Sequence, residues 1–224
     1  MQDRLSKVQT NVAKQLLLHD LVLTIEHDFE EYNAFIERAP AWNDKGLAPT
    51  DPIYNTLGPS NSYWLAARDR NGKIVGCVAQ RIWQQSRFCS LVNEGRFLYD
   101  GTKAPGQDTF HLFAEGLGHI QGNIAYLGGG WIDPGHRGYS LLSYLILMAN
   151  AKALQDHDAD YVFSVVRPAM VEKGVALKSY FYYHMDYGAT MWRSEKAERV
   201  DVWILHNSRA DILREMSYWL TSPD

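Results

Sequence analysis

Cysteine is scarce in this 224-residue chain: Cys77 and Cys89 are its whole supply. Two cysteines cannot build the disulfide framework of a small secreted scaffold, so they read as free, partly buried thiols in a reducing compartment. Long apolar runs are lacking too, since none reaches the roughly 18 residues that a membrane-spanning helix needs. Asp3, Arg4, Lys7 and Lys14 interrupt the first residues, which excludes the apolar stretch of a secretory signal. Clustered positive charge is also missing. The 22 Lys and Arg are outnumbered by 26 Asp and Glu, for a net charge of −4. A nucleic-acid partner would call for a basic stripe. There is no internal repeat and no low-complexity tract. These absences predict a soluble cytoplasmic protein with no nucleic-acid and no membrane partner.

What is present is an ordinary globular balance, 46% hydrophobic and 21% charged. A chain of this length can bury a sizeable core as one domain. The mild acidity suits a cationic substrate such as an amine.

Along the chain, Leu5, Val8, Val12 and Leu16 recur at helical spacing and predict a helix over 3–18. The run 21–25 (LVLTI) reads as a strand. Asp28 then caps a second helix over 29–38. Residues 39–61 are punctuated by proline and glycine and read as a long loop. Strands over 63–68 and 73–83 flank the turn Asn71-Gly72, and Gly76 marks a bulge or a close approach. Between 86 and 121 the pattern weakens. Phe97–Tyr99 reads as a short strand and Asp108-Thr109 as a helix start. His111, Glu115 and His119 have the spacing of ligands on one helical face, but Gly116 and Gly118 weaken such a helix, so no metal is expected. Then follow a strand over 124–132, a helix carrying Leu141, Leu142, Leu145 and Ile146, and a buried strand over 160–166. A helical stretch over 169–184, a strand over 200–206 and a closing helix over 212–220 complete an α/β layer pattern.

The segment 131–142 carries the chemistry. A strand ends, Asp133-Pro134-Gly135 turns, and a helix starts. The first amides of a helix lack intrahelical partners and lie at the positive end of its dipole. Gly135 and Gly138 allow close approach, Arg137 adds a positive charge and Ser140 a hydroxyl. Such a turn can cradle a phosphate or pyrophosphate.

The pattern Trp131-Ile132-x-Pro134-x-x-Arg137-Gly138-x-x-Leu141-Leu142 resembles the central motif of the GNAT N-acetyltransferase superfamily. Ser140 and Leu142 stand where that motif usually has small residues. Val165-Val166-Arg167-Pro168 resembles the family's next strand and its exit. Phe181-Tyr182-x-x-Met185-Asp186-Tyr187 resembles a later aromatic motif. The resemblance is best over 120–206. It implies a mixed α/β (α+β) fold: a central, mostly antiparallel twisted sheet with a splayed parallel strand pair and helices on both faces. Residues 1–224 would form one domain, with an N-terminal helical extension over about 1–18 and an insertion over about 86–121. It further implies acetyl-CoA, or another acyl-CoA, as co-substrate, held by Trp131, Ile132, His136, Arg137, Gly138, Tyr139, Ser140 and Leu141.

The implied activity is acyl transfer, with an acetyl group passing from acetyl-CoA to a primary amine of a small molecule by direct attack. A backbone N–H near Trp131–Ile132 would hold the developing oxyanion. Tyr182 aligns with the tyrosine that protonates the leaving thiolate in many members, and Tyr183 is the second choice. Asp133, Glu94, Glu115 and His119 are each able to serve as base, directly or through water. Other readings stay open: an aminoacyl or longer-chain acyl transferase whose acceptor site is shaped by 86–121, or a catalytically silent binding or sensor domain. A homodimer is an admissible assembly.

Overall fold

The computed structural model describes residues 2–40, 48–100, 109–138, 140–193 and 198–221. Helix α1 (Gln2–Leu18) forms on the predicted stripe, and Leu5, Val8, Val12 and Leu16 are all buried on it. Strand β1 (Val22–Glu26) leads to α2 (Phe29–Ile36). The Asp28 carboxylate accepts the N–H groups of Glu30 and Glu31 at 2.9 and 3.0 Å, the N-cap its position predicts. Strands β2 (Ser62–Arg68) and β3 (Ile74–Arg87) form the expected hairpin. Its turn is closed by Asp69 Oδ1, which accepts the N–H groups of Asn71 and Lys73.

The remaining elements are α3 (Phe88–Asn93), β4 (Thr109–Leu112), β5 (Gln121–Ile132), α4 (Leu141–Asp156) and β6 (Tyr161–Val166), then α5 (Pro168–Glu172), α6 (Val175–Lys178), β7 (His184–Arg193), β8 (Glu198–Ser208) and α7 (Arg209–Thr221). The eight strands make one sheet in the order β1-β2-β3-β5-β6-β8-β7-β4. All neighbours run antiparallel except β5 and β6, which are parallel. Helices α1, α4 and α7 pack together on one face. On the other, α2 covers Trp64 and Trp131, while residues 88–100 and 109–120 bring Phe88, Phe97 and Phe110 over Tyr126 and Phe163. The mixed sheet with one parallel pair and helices on both faces is the expected class. No helix among the described residues is long and apolar enough to cross a membrane.

Arg81 is only 2% exposed and holds the loops to this sheet. Its guanidinium donates to Asn55 Oδ1 at 2.6 Å, to the Pro49 carbonyl at 3.0 Å and to Asp100 Oδ1 at 2.6 Å. A charge so buried persists only when paired in this way.

Three local expectations are corrected. Thr109 opens strand β4, not a helix, and pairs with Trp192 of β7; Asp108 lies outside the described residues. Phe97–Tyr99 is a turn whose aromatic rings fill the core, not a strand. The stretch 169–184 holds two short helices split at Gly174, whose φ of +69° breaks the helix, and then gives way to β7. His111 lies on β4 and His119 ends a 3-10 turn, so the two do not share a helical face.

Candidate active site

The parallel pair parts company halfway. Ile124, Ala125 and Tyr126 register with Tyr161, Val162 and Phe163, and there the pairing stops. Strand β5 runs on to Ile132 with, among the described residues, only β3 paired to it, from Gly128 opposite Ala79 to Ile132 opposite Gly76. The break coincides with a bulge at Gly129, whose φ is +62°. A β-carbon there would overlap the Tyr32 hydroxyl, which instead donates to the Gly129 carbonyl at 3.2 Å. The glycine is therefore required both by its backbone angle and by its neighbour. Beyond the bulge, the Asp133 N–H donates to the Val75 carbonyl at 2.8 Å. Antiparallel alternation then turns the N–H group of Ile132 away from β3, onto the edge that β6 no longer pairs.

The chain next enters a 3-10 turn, Pro134–His136, and reaches α4. The first bond of the helix runs from the Tyr144 N–H to the Ser140 carbonyl at 3.1 Å, so the amides of Leu141, Leu142 and Ser143 precede it. Gly138, at φ +102°, has no atom within 4 Å of a built β-carbon. Ser140 adopts a left-handed conformation at φ +55° and its side chain makes no cap bond. Glycine adopts that angle freely, which gives a physical reason for the small residue expected at this position. Arg137 is exposed, with Nε 3.4 Å from the Ile132 carbonyl. Open amides, a bare glycine and an exposed arginine at one helix start suit an anionic phosphate group.

At the inner end of the splay, tyrosines converge. Ser164 of β6 donates to the Leu127 carbonyl at 2.7 Å, and its hydroxyl lies 2.8 Å from that of Tyr182. The Tyr180 and Tyr182 rings stack at 6.3 Å and 22°. Tyr180 Oη would stand 3.0 Å from a β-carbon on Gly130, with Leu142 Cδ1 at 3.3 Å. Tyr126 Oη lies against Gly128. Burial raises the pKa of all four hydroxyls at this end, Tyr32, Tyr126, Tyr180 and Tyr182, and that of Tyr180 is pushed up to about 12. Sequence reading missed Tyr32, Tyr126, Tyr180 and Ser164. The Gly128-Gly129-Gly130 run was the one local signal that side chains from elsewhere press close here.

The other expected site residues spread out. Trp131 turns its ring to α2, meeting Phe35 edge-on at 5.2 Å and donating to the Pro40 carbonyl at 2.9 Å, so only its backbone faces the strand ladder. Ile132 and Leu141 pack into the helical-face core. His136 Nδ1 stands 3.5 Å from Asp133 Oδ1. The Asp133 carboxylate also binds Lys73 Nζ at 3.0 Å and the Gly135 N–H at 2.9 Å, and these bonds, led by Lys73, hold its pKa below the usual carboxylate range. The Tyr183 hydroxyl bonds Glu215 on α7, under the Arg214 guanidinium. Glu94 accepts from Arg96 at 3.2 Å, and His119 packs edge-on to Tyr161, at the paired end of β6. Glu115 lies in the 3-10 turn 115–119, with its side chain outside the description; Tyr139 lies outside the described residues altogether. Among the described residues, no group of three or more His, Cys, Asp or Glu is placed to hold a metal ion.

No protein-family model matches the chain, and no curated protein matches it. Solved structures do. Arabidopsis thaliana NAA60 in complex with acetyl-CoA is similar over 85% of this chain and 99% of its own, with a TM-score of 0.53 and 13% identity. The same plant protein in complex with a bisubstrate analogue is similar over 84% and 98%, with a TM-score of 0.53 and 12% identity. Taken with the splayed parallel pair and the strand–turn–helix beside it, this likeness shows that the chain has the fold of the GNAT N-acetyltransferase superfamily.

Proposed function

We propose that this chain is an acyl-CoA-dependent N-acyltransferase that moves an acetyl group from acetyl-CoA to a primary amine of a small molecule by direct attack. One observation carries the reading: β5 and β6 part after Tyr126, and the opened edge runs between a phosphate-suited helix start and a buried tyrosine cluster. The amides of Leu141, Leu142 and Ser143, with His136, Arg137, Gly138 and Ser140, would hold the pyrophosphate. Trp131 and Ile132 would contribute backbone, and Leu141 the apolar wall. Bound there, acetyl-CoA supplies an activated thioester.

The protein's own groups do the rest. The Ile132 N–H on the open edge favours negative charge on the carbonyl oxygen as it develops. Tyr180, next to Gly130, stays protonated at neutral pH and would give its proton to the leaving sulfur. Tyr182, tied to Ser164, supports it from the inner end of the splay. Asp133 serves the turn, because a carboxylate held by Lys73 and Gly135 is a poor proton acceptor. The amine would shed its proton to water. The Tyr183 hydroxyl, bound to Glu215, has no part in this scheme.

A silent binding domain is the second reading, favoured by Leu142 and Tyr180 crowding Gly130. Thiol release from acetyl-CoA, measured with a polyamine, an amino sugar, an amino acid ester and a short peptide, separates the two. Release that depends on one of these amines is expected. Binding of acetyl-CoA without release under any of them would favour the silent domain.

A further inference from the structure

We infer that Asn207 is a positioning residue for the tyrosine pair of the splay, clamping the strained corner at Phe181 that aims Tyr180 and Tyr182; this rests on the acyl-transfer reading above. Phe181 lies between the two stacked tyrosines at φ +56°. A side chain as bulky as phenylalanine takes that left-handed conformation at a cost, so its surroundings must hold it there. Asn207 is the group that does so. Its Oδ1 accepts the Tyr183 N–H at 2.8 Å, and its Nδ2 donates to the Phe181 carbonyl at 2.8 Å. The orientation of the amide is fixed by its partners, since a backbone N–H can only donate and a carbonyl can only accept.

The place of Asn207 in the sheet explains why a side chain is needed. The β7–β8 ladder begins at His184 opposite His206, so the residues just before it have no backbone partner on β8. Asn207 is one step further along β8, facing Val162 of β6 in register, and is only 2% exposed. A primary amide carries one donor and one acceptor group, as a peptide unit does, and here it continues the pairing across the corner. Without it, two backbone groups at the corner lose their partner, and the strained angle at Phe181 loses the two bonds that span it. The corner would relax, and the Tyr180 hydroxyl would leave Gly130. Neither Asp, which lacks the donor, nor Leu, which lacks both groups, can replace it.

The test compares wild type, Asn207→Ala and Asn207→Ala with Phe181→Gly. Turnover is read as thiol released from acetyl-CoA with the panel amine that reacts best, and amide hydrogen exchange is followed over 180–184. Asn207→Ala is expected to speed exchange at Tyr183 and to lower kcat about tenfold, with the acetyl-CoA KM changed by no more than about twofold. Adding Phe181→Gly removes the need for the clamp, because glycine takes the left-handed angle freely. It should restore several-fold of the lost turnover even though it deletes apolar packing. A purely structural role predicts the reverse, a further loss. Where Asn207→Ala alone does not fold, the double variant and Asn207→Ser, which keeps one hydrogen-bonding atom, take its place.

Unchanged exchange at Tyr183 overturns the clamp. Faster exchange with unchanged kcat overturns its role in turnover, as does a double variant slower than the single. A wild type that binds no acetyl-CoA sinks the acyl-transfer reading and this role with it. A wild type that turns over while Asn207→Ala matches it sinks this role alone.

Discussion

The two ends of β5 are built differently. At the lower end, Gln121–Tyr126, the strand lies along β3, and Ile124–Tyr126 are held on the other side by β6. Asp160 reinforces this end, with Oδ2 accepting the Asn123 N–H at 2.9 Å and Oδ1 receiving Arg209 Nη2 at 3.3 Å. At the upper end, Leu127–Ile132, the strand keeps β3 alone, bulges at Gly129 and turns its other edge to tyrosine hydroxyls. One strand thus carries a scaffold at one end and a binding edge at the other. The switch occurs where three glycines replace side chains. The lower end spends its hydrogen-bonding groups on stability, while the upper end keeps some of them for a ligand.

The largest effect that sharpens this contrast should come from pH. Tyr32, Tyr126, Tyr180 and Tyr182 all have pKa values raised above 10.0 by burial. Below about pH 10 these groups are protonated in both folded and unfolded chains. Above it the unfolded chain ionises first, so stability must fall as pH rises toward the folded values. Melting temperatures should therefore be steady from pH 7 to about 9 and drop steeply from about 10. A flat profile through pH 11 would remove the buried tyrosine cluster from the picture.

Gly129→Ala should be next, because it forces a left-handed alanine against Tyr32; about 3 kcal/mol of stability should be lost in denaturant unfolding. Asp160→Ala breaks the lower end instead. It should cost about 1–2 kcal/mol by leaving the Asn123 N–H unpartnered, with acetyl-CoA affinity unchanged. If that substitution weakened acetyl-CoA as much as an upper-end change, the division of labour along β5 would be wrong. Arg137→Ala should do the opposite, leaving stability alone and weakening acetyl-CoA about fivefold, roughly 1 kcal/mol, as fits an exposed charge. Unchanged affinity would assign the phosphates to the backbone amides alone.

How much of this could be read in advance depended on range. The α1 stripe, the Asp28 cap, the Asn71-Gly72 turn and the strand–turn–helix at 131–142 are local signals, and each lies where it was expected. Strand β7 was not legible. Its sequence, HMDYGATMWR, does not alternate cleanly, and Gly188 sits inside it because Ala114 presses against that backbone. Strand β4 is only four residues long and is set by its pairing with β7, a contact more than 75 residues away along the chain. The parting of β5 from β6 is likewise a property of pairing, invisible in either strand alone. The tyrosine cluster gathers residues from α2, β5 and the segment after α6. In the crowded run 180–183, nothing in the order of residues distinguishes Tyr180 and Tyr182, which face the splay, from Tyr183, which bonds to α7.

The most direct test of the central claim is calorimetric titration of acetyl-CoA into the purified chain, alongside Arg137→Ala. One site per chain is expected, with affinity reduced by the substitution and by rising salt, since phosphate contacts are screened. No heat at millimolar acetyl-CoA, in a chain shown to be folded, would contradict the assignment of the splayed edge as an acyl-CoA site.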